Sequence, residues 1–497
     1  AGGCMPLPTK ILIANRGEIA VRVIRAAHEM GIETVAVYSD ADRDALHVRN
    51  AMQAVHIGPA PSAESYLRGE RVLEAARTTG ADAVHPGYGF LSENAAFARS
   101  VLEAGLIWIG PSPEAIEAMG SKTESRERMA KAGVPVVPGT KTPLASAAEA
   151  EAIAVELGFP VMLKASAGGG GKGMRQVDRV EDIAGALAAA KSEAASSFGD
   201  DSVYIEKRII GPRHVEVQVL ADTHGTTLHL FERDCSVQRR NQKVVEETPC
   251  PVLSDAVRAR MCNVAIAAAE AVDYVGAGTV EFLLGADGSF YFLEMNTRLQ
   301  VEHPITEMVT GIDLVQAQIR IAGGEPIGLS QDDIRQHGHA IECRIYAEDP
   351  ANNWAPSPGV IRGYREPGGP WVRVDAGVYP GAEVSLFYDP MVAKLVVWGV
   401  DRDEAIRRTQ RALLEYRVRG IATNTAFFRQ LLADEDFVSG VYDTGFLTQA
   451  RMDGWPEDDD MSEVAAIAAA IAAFERDNEL RRPTNATRSS PWRWSLR

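Results

Sequence analysis

Two carboxylates and an amide stand close together in the second half of the sequence, on two short apolar segments joined by a turn that contains glycine. They are Glu281, Glu294 and Asn296. We predict that the two segments pair as a β-hairpin. Alternation then sets Glu294 and Asn296 on one face, opposite Phe292 and Met295. Carboxylate and amide oxygens are ligands that Mg²⁺ prefers, which predicts a metal site for nucleotide phosphates; a solvated face of paired charges is the alternative.

The same spacing continues through Arg298, Gln300 and Glu302 as far as Pro304. We therefore predict that the strand runs on to this proline. An arginine in such a row can hold a small planar oxyanion through two hydrogen bonds, and the glutamine can orient that anion. Glu302 can act as a general base, provided that it is not itself a metal ligand. The row predicts a pocket for a small oxyanion beside the metal site.

A lysine precedes a run of glycines in the first half of the chain. Lys164 lies in a strand pattern and is followed by Gly168-Gly-Gly-Gly-Lys-Gly-Met174. A Walker motif is excluded because Gly173 follows Lys172, and a dinucleotide fingerprint is excluded because a strand pattern resumes where a helix should begin. A glycine-rich hairpin tip beside a lysine favours a mobile cover over phosphates; a bare flexible turn is the alternative.

Two further segments concentrate positive charge. Residues 231–243 carry four cations next to acidic residues, and a salt-bridged surface loop is the default interpretation of such a segment. Arg344 lies in an apolar strand pattern, where a guanidinium needs an anionic partner or ligand. Neither segment identifies a site by itself.

These residues need a scaffold, and the periodic patterns predict that it combines α/β and α+β parts. Strand and helix patterns alternate at the start, which predicts an N-terminal doubly wound parallel-sheet domain at 7–120. A strand, a glycine turn, a second strand and a helix predict a hinge and a small mobile lid at 121–208. Alternating strands then predict a mainly antiparallel catalytic and C-terminal domain at 209–450, followed by a helical and polar tail at 451–497.

Composition excludes several classes of function. A formal net charge of -17 over 497 residues argues against binding to nucleic acid or to an anionic membrane, because both partners need a basic surface. The five cysteines show no metal-ligand spacing and fit no closed disulfide framework, which predicts free thiols in a reducing cytoplasm. No apolar stretch has the length of a membrane span. We therefore expect a cytoplasmic protein with no nucleic-acid or membrane partner.

Taken in order, the motifs resemble those of the biotin carboxylases, the ATP-grasp subunits or domains of acyl-CoA and pyruvate carboxylases. The resemblance covers roughly residues 7–450 and implies an ATP-grasp fold. The segments that carry it are Ile13-Ala-Asn-Arg-Gly-Glu-Ile-Ala20, His85-Pro-Gly-Tyr-Gly-Phe-Leu-Ser-Glu-Asn94, Lys164 with its glycine loop, Arg233-Asp-Cys-Ser-Val-Gln-Arg-Arg240, Glu294-Met-Asn-Thr-Arg-Leu-Gln-Val-Glu-His-Pro304 and Glu342-Cys-Arg344.

The resemblance implies an ATP site, a metal site and a pocket for bicarbonate and biotin. The implied ATP-binding residues are Lys122, Lys164, Gly169, Gly170, Gly171, Glu206, Lys207, His214, Gln238, Asn241, Glu281 and Glu294. The implied ligands of Mg²⁺, or Mn²⁺, are Glu281, Glu294 and Asn296. The implied bicarbonate and biotin residues are Lys243, Arg298, Gln300, Val301, Tyr88 and Arg344, and the implied catalytic residues are Glu302, Arg344, Lys243 and Arg298.

The resemblance also implies a reaction. Glu302 would deprotonate bicarbonate, whose oxygen would attack the γ-phosphate of ATP to give carboxyphosphate. Its breakdown would supply CO2 and phosphate; the phosphate would take the proton from N1 of biotin, and Arg344 would stabilise the biotin enolate. Asn241 departs from the histidine of many bacterial members and is more like propionyl-CoA-type carboxylases. The alternatives are another ATP-grasp carboxylating ligase and a catalytically silent ATP-binding subunit.

The implied partners are a biotin carrier protein, carboxyltransferase subunits of an acetyl-CoA or propionyl-CoA carboxylase, as in fatty acid biosynthesis, and a second copy of the chain in a homodimer. We expect the carrier to be a separate polypeptide. The chain contains no Met-Lys-Met, and the tail is shorter than the roughly 70 to 80 residues that a biotin domain needs. A predicted helix in the tail, with Val464, Ile467, Ile471 and Phe474 on one side, can dock a partner or pack on the parent domain.

Overall fold

The structure is a computed structural model, and it describes residues 7–140, 142–165, 174–198, 200–455 and 462–481. The chain divides into two compact units, residues 1–452 and residues 453–497. Within the described ranges, no helix is long and apolar enough to cross a membrane.

Short apolar strands alternate with helices at the start of the first unit. The elements are β1 (Lys10–Ile13), α1 (Gly17–Glu29), β2 (Glu33–Ser39), α2 (Leu46–Asn50), β3 (Gln53–Gly58), α3 (Gly69–Thr79), β4 (Ala83–His85), α4 (Ala95–Glu103), β5 (Ile107–Trp108), α5 (Pro113–Gly120) and α6 (Lys122–Lys131). The strands form a parallel sheet in the order β3-β2-β1-β4-β5. Leu12 packs into one core, and Ile11 and Ile13 pack into another. Both faces are covered, which confirms the predicted doubly wound sheet.

A small sheet follows, with elements α7 (Ala147–Leu157), β6 (Val161–Ala165), β7 (Met174–Val177), α8 (Ile183–Phe198) and β8 (Val203–Lys207). The strands are antiparallel, in the order β7-β6-β8. The sheet packs on its helices around a core of its own, to which Val161, Leu163, Leu187 and Ile205 belong. The strand, strand and helix of the predicted lid are present here, and α7 was not predicted. We call β6, β7 and β8 the lid sheet.

Strands from the middle of the chain and from its C-terminal region form the largest sheet, and the same regions contain helices and short strands that lie outside it. The elements are β9 (Arg213–Ala221), β10 (Thr227–Arg239), β11 (Gln242–Thr248), α9 (Asp255–Glu270), β12 (Gly276–Leu284), β13 (Phe290–Asn296), α10 (His303–Thr310), α11 (Leu314–Ala322), β14 (His339–Tyr346), β15 (Glu348–Asp349), β16 (Ala355–Pro356), β17 (Gly359–Val360), β18 (Gly363–Arg365), β19 (Val372–Ala376), β20 (Glu383–Val384) and β21 (Met391–Gly399). Eight strands form one antiparallel sheet in the order β13-β12-β9-β10-β11-β14-β21-β19, as predicted for this region. We call it the main sheet.

Alternation along β9 explains how the main sheet separates its core from its polar side. Val215, Val217 and Val219 enter an apolar core that also receives side chains of β12, β13 and α9. Glu216 and Gln218 are equally buried but belong to the opposite face. Strand β9 therefore places polar side chains inside the protein, on the face opposite the apolar core.

The remaining elements of the first unit are α12 (Arg402–Glu415), β22 (Arg417–Arg419), α13 (Thr425–Leu431), α14 (Glu435–Val438) and α15 (Gln449–Asp453), the last of which ends at the boundary. The second unit contains one described helix, α16 (Ser462–Arg481). It confirms the helix predicted in the tail. Ile467, Ile471 and Phe474 recur along it at helical spacing and are exposed.

Candidate functional site

A cavity of about 1040 Å³ lies within the first unit. Its lining comes from the start of α1, from the lid sheet and from seven strands of the main sheet. Of the predicted site residues it is lined by Tyr88, Lys164, His214, Gln238, Asn241, Lys243, Glu281, Glu294, Asn296, Arg298, Gln300, Val301 and Arg344. Residues that are far apart in the sequence thus converge on one space.

Other predicted residues do not line this cavity. Glu302 is fully buried beneath its surface, and Glu206 and Lys207 belong to β8 of the lid sheet. Lys122 begins α6. The glycines Gly169, Gly170 and Gly171 lie outside the described residues, so their predicted contact with phosphates stays a prediction.

The predicted hairpin is present, but its alternation is interrupted. Strands β12 and β13 are antiparallel, and Glu281 lies opposite Glu294. A register shift follows, so that Phe282 pairs with Phe292. Strict alternation would place Phe292 on the face of Glu294, since the two residues are two positions apart. Because of this bulge, Phe292 and Met295 both enter the core, while Glu281 and Glu294 line the cavity.

The predicted continuation of this strand to Pro304 is wrong. Strand β13 ends at Asn296, and α10 begins at His303 with Pro304 in its first turn, a position that tolerates proline because the N–H there has no helical partner. Arg298 and Gln300 therefore reach the cavity from a loop. Glu302 is the residue that precedes the helix.

Glu302 is held by two cations at the inner end of the cavity. Its Oε1 accepts a hydrogen bond from Lys243 Nζ at 2.7 Å, and its Oε2 accepts one from Arg344 Nη2 at 2.9 Å. Burial alone would raise the pKa of Glu302, but Lys243, Arg344 and Arg233 lower it well below its ordinary value. The carboxyl group is therefore ionised at neutral pH and can accept a proton.

Lys243 connects three carboxylates. Its Nζ donates to Glu216 at 2.6 Å, to Glu281 at 3.0 Å and to Glu302 at 2.7 Å. Burial alone would lower the pKa of Lys243, but these carboxylates raise it well above its ordinary value. The lysine stays charged and can stabilise an anion that enters the cavity.

Arg344 also has two carboxylate partners. Its Nε donates to Glu246 at 2.6 Å, while its Nη2 donates to Glu302. Burial raises the pKa of Glu246 to about 7, although Arg344 acts in the opposite direction. This confirms that the guanidinium on β14 needs anionic partners, and one of them is the predicted base.

The oxyanion residues Arg298 and Gln300 are tied to the predicted metal ligands. Arg298 donates to Gln300 Oε1 and to Asn296 Oδ1, each at 2.9 Å, and to Glu93 Oε2 at 3.0 Å. Gln300 and Asn296 in turn donate to Glu281 at 3.0 and 2.9 Å. Two facing carboxylates and an amide oxygen form a hard-oxygen donor set that fits Mg²⁺ or Mn²⁺. The predicted pocket and metal site are therefore continuous.

The predicted nucleotide residues form two groups, one on the lid sheet and one on the main sheet beside Glu281. Lys164 on β6 pairs with Glu206 at 2.5 Å, and Arg126 also pairs with Glu206. Gln238 Nε2 and His214 Nδ1 lie 3.0 Å apart. The side chain of Lys207 instead donates to the main-chain oxygen of Gly158 at 2.7 Å, and its main-chain N–H donates to the carbonyl of Pro138 at 2.8 Å, so the predicted contact of Lys207 with ATP stays a prediction.

Asn241 lies at the tip of the hairpin between β10 and β11. Arg240 and Asn241 both have positive φ, 52° and 65°. Two such residues form the type I′ turn that suits a tight hairpin, and asparagine tolerates this conformation well. The segment 231–243 is therefore not the surface loop that its charges favoured, but two paired strands with Arg233 fully buried.

Three polar residues of the site were missed from the sequence. Glu216 pairs with Lys243 and with Arg233, Glu246 pairs with Arg344, and Glu93 pairs with Arg298. Glu216 did leave a signal, because glutamate and glutamine alternate with three valines along β9. Glu93 left no such signal, since its partner lies 205 positions away.

Three family models match the chain in sequence order. Residues 8–116 match the biotin carboxylase N-terminal domain, residues 121–330 match the carbamoyl-phosphate synthase L chain ATP-binding domain, and residues 342–449 match the biotin carboxylase C-terminal domain. The first region holds the parallel sheet, and the second holds the lid sheet together with Lys243, Glu281 and Glu302.

Whole proteins and solved structures match over most of the same length. The chain is 53% identical over 439 residues to biotin carboxylase 1 of Bacillus subtilis, which covers 88% of this chain and 98% of that protein. The crystal structure of the biotin carboxylase subunit of pyruvate carboxylase matches with a TM-score of 0.80 and 48% identity, covering 89% and 98%. A complex of the Hydrogenobacter thermophilus 2-oxoglutarate carboxylase biotin carboxylase domain dimer with MgADP, ADP and bicarbonate matches with a TM-score of 0.83 and 47% identity, covering 89% and 97%.

Proposed function

This chain belongs to the biotin carboxylase family, and from that premise we propose that it carboxylates carrier-borne biotin for an acyl-CoA carboxylase whose final acceptor is acetyl-CoA or propionyl-CoA. The family has the ATP-grasp fold, and its members are ligases that use ATP and bicarbonate. Family membership removes another type of carboxylating ligase from consideration. The observation that best supports catalysis, as opposed to a silent subunit, is the ionised Glu302 between Lys243 and Arg344.

The cavity has room for a nucleotide and a small anion side by side. Lys164 of the lid sheet and His214 and Gln238 of the main sheet bind ATP, while Glu281, Glu294 and Asn296 would hold Mg²⁺ or Mn²⁺. A divalent cation bound there neutralises negative charge on the ATP phosphates. The chain's own residues thus bring the γ-phosphate towards the inner end of the cavity.

Bicarbonate occupies the inner end, where Lys243, Arg298 and Gln300 offer hydrogen-bond donors and Val301 lines the wall. Glu302 takes the proton of bicarbonate. The freed oxygen forms a bond to the γ-phosphorus as the bond from that phosphorus to the oxygen of ADP breaks, which gives carboxyphosphate. The cations supply electrostatic stabilisation and positioning, the two effects on which phosphoryl transfer depends.

Carboxyphosphate then breaks into CO2 and phosphate within the cavity. The phosphate takes the proton from N1 of biotin, and Arg344 stabilises the negative charge that develops on the ureido oxygen. N1 attacks CO2, which completes carboxybiotin. Tyr88, which lines the cavity, is proposed to contact the biotin.

A complex that carboxylates a 2-oxo acid is the second candidate for the overall pathway. The solved structures at 48% and 47% identity come from proteins named pyruvate carboxylase and 2-oxoglutarate carboxylase. Asn241 favours the propionyl-CoA type instead, because of its resemblance to that group. Purification of the chain from its native cell, followed by identification of the accompanying carboxyltransferase, decides between the two acceptors.

We also propose that the biotin carrier is a separate polypeptide and that the chain acts as a homodimer in a cytoplasmic complex. The cysteines that the structure describes, Cys235, Cys250, Cys262 and Cys343, are free and buried, as predicted for a reducing compartment. Blotting the native protein with labelled streptavidin tests the carrier proposal. A biotinylated lysine within this chain would contradict the proposal of a separate carrier. Equilibrium sedimentation tests the proposed homodimer.

Transfer of labelled carbon from bicarbonate to biotin tests the reaction itself. We expect label on a biotinylated carrier only when ATP and Mg²⁺ or Mn²⁺ are present, and we expect Glu302→Gln to remove most of it. Label transfer that does not need ATP, or none with any carrier tested, would contradict the proposed function.

A further inference from the structure

A lysine outside the proposed reaction lies fully buried beside the site. The Nζ atom of Lys394, on β21, donates to the main-chain oxygen of Val301 at 2.8 Å. It also lies 3.2 Å from Glu18 Oε2 and 4.0 Å from Asp375 Oδ2. An ammonium group that is removed from water is strongly destabilised unless good partners replace the water. The hydrogen bond to Val301 therefore replaces part of the hydration that the ammonium group of Lys394 loses on burial.

The position of Lys394 on the main sheet links it to the base. Lys394 and Arg344 are register partners on β21 and β14, so their side chains leave the same face of neighbouring strands. Arg344 binds the carboxylate of Glu302, and Lys394 binds the peptide group directly before that residue. Two adjacent cations therefore hold the two ends of one residue.

The counterions of Lys394 come from two other elements. Glu18 lies at the start of α1, and Asp375 lies on β19, where Arg373 holds it through hydrogen bonds of 3.0 and 2.7 Å. Gly377 packs so closely on the first turn of α1 that a Cβ there would lie 2.6 Å from the nitrogen of Glu18. Lys394 therefore lies where α1, which packs on the parallel sheet, meets the main sheet.

We propose that Lys394 is a positioning residue that fixes the Val301 carbonyl and thereby sets the place of Glu302 in the cavity. This inference rests on the proposed role of Glu302 as the base. A loop carries Glu302, and a loop needs contacts of this kind to hold a base to within the small tolerance that catalysis requires. A displacement of about 1 Å at a catalytic group can cost about 10² in rate.

The test removes the charge of Lys394 and, at the same time, the charge of Glu18, the carboxylate that lies nearest to it. The variant is the double substitution Glu18→Gln and Lys394→Met, and Glu18→Gln alone is its reference. We expect kcat of bicarbonate-dependent ATP hydrolysis to fall about tenfold or more relative to the reference, with the Kd for ATP within about twofold. Lys394→Arg retains most of the activity, because its guanidinium can still donate to the carbonyl of Val301.

Hydrogen exchange across residues 298–303 gives a second readout that needs no activity. We expect exchange there to accelerate about tenfold or more in the double variant, while the strands β9 and β12 exchange as in the reference. Lys394→Gln in the Glu18→Gln background, whose side chain is too short to reach, serves if the methionine variant does not fold.

Two results would overturn the inference. One is a kcat and an exchange rate that both stay within about twofold of the reference; the other is a parallel loss of ATP affinity, turnover and protection over the whole main sheet, which indicates a general structural role. A wild-type chain whose hydrolysis ignores bicarbonate would instead overturn the proposed function, and the exchange comparison would still decide the role of Lys394.

Discussion

The main sheet and the lid sheet satisfy their charged residues in different ways. At the main sheet, Glu216 of β9 and Glu302 of the loop before α10 are fully buried and share Lys243 of β11 through ion pairs of 2.6 and 2.7 Å. On the lid sheet, the side chain of Lys164 is 21% exposed and pairs with Glu206, which belongs to the same sheet. The main sheet therefore holds its base and cations in place before any substrate binds. The lid sheet, with a core of its own, presents a cation that, in the proposed function, ATP would draw away from Glu206.

This difference predicts a division of labour. Substitution of the proposed base Glu302 should lower turnover, and substitution of Lys164 on the lid sheet should lower nucleotide affinity. A variant that affects both quantities equally would break the comparison.

The largest effect is expected at the base. Glu302→Gln keeps the shape of the side chain but removes the group that accepts the proton of bicarbonate, so turnover should fall by about 10² or more. The Kd for ATP should stay nearly unchanged, because Glu302 lies beneath the cavity and does not line it. Steady-state kinetics and nucleotide titration measure the two quantities.

Glu103→Gln is the matched control, since Glu103 is exposed on α4 and should tolerate the change without effect. A parallel loss of ATP affinity in Glu302→Gln would make Glu302 a metal ligand instead of a base. Glu302 would then belong to the ATP and metal site and not to the bicarbonate pocket.

The next effect is expected on the lid sheet. Lys164→Gln removes a charged hydrogen bond to phosphate, and such bonds contribute about 1.5 to 3 kcal/mol, so the Kd for ATP should rise about 10- to 100-fold. Turnover at saturating ATP should fall far less. Isothermal titration with ATP and saturation kinetics provide both numbers.

Lys131→Gln provides the control for this charge change, because Lys131 is an exposed lysine on α6 with 75% of its side chain accessible. If Lys164→Gln lowered turnover at saturating ATP as much as Glu302→Gln does, the lid sheet would share the chemistry. The proposed division between the two sheets would then be wrong.

The sequence predicted those features whose signal lies in the local spacing of residues, and it missed the residues whose hydrogen-bond partners are distant in the sequence. The hairpin of β12 and β13 was predicted, because two apolar segments joined by a glycine turn are a local signal; the metal ligands assigned to it stay a prediction. The end of β13 was placed eight residues too late, since an even spacing of polar residues also suits a loop that lines a cavity. Glu93 and Glu246 could not be found, because their roles depend on strands and loops brought together by the tertiary fold.

The smallest effect concerns a proton on the main sheet. Burial raises the pKa of Glu246 to about 7 in the folded protein, whereas an unfolded glutamate titrates near pH 4.3. Between these values the folded state binds more protons, so stability falls as the pH rises, by at most about 1.4 kcal/mol per pH unit. Glu246→Gln lacks this titration.

Denaturant unfolding of wild type and Glu246→Gln between about pH 5 and about pH 7 measures the contribution. The free energy of unfolding of the wild type should fall relative to that of the variant as the pH rises. A difference that stays constant with pH would mean that Arg344 keeps Glu246 ionised throughout this range, and that the main sheet carries one more fixed negative charge.

Dependence of ATP hydrolysis on bicarbonate tests the central claim most directly. In carbonate-free buffer with Mg²⁺, the wild-type chain should hydrolyse ATP only when bicarbonate is added, because bicarbonate, once Glu302 has taken its proton, is the group that accepts the γ-phosphate. Added biotin should raise the rate further, because it consumes the CO2 that carboxyphosphate releases. Equal rates of phosphate release with and without bicarbonate would contradict the account.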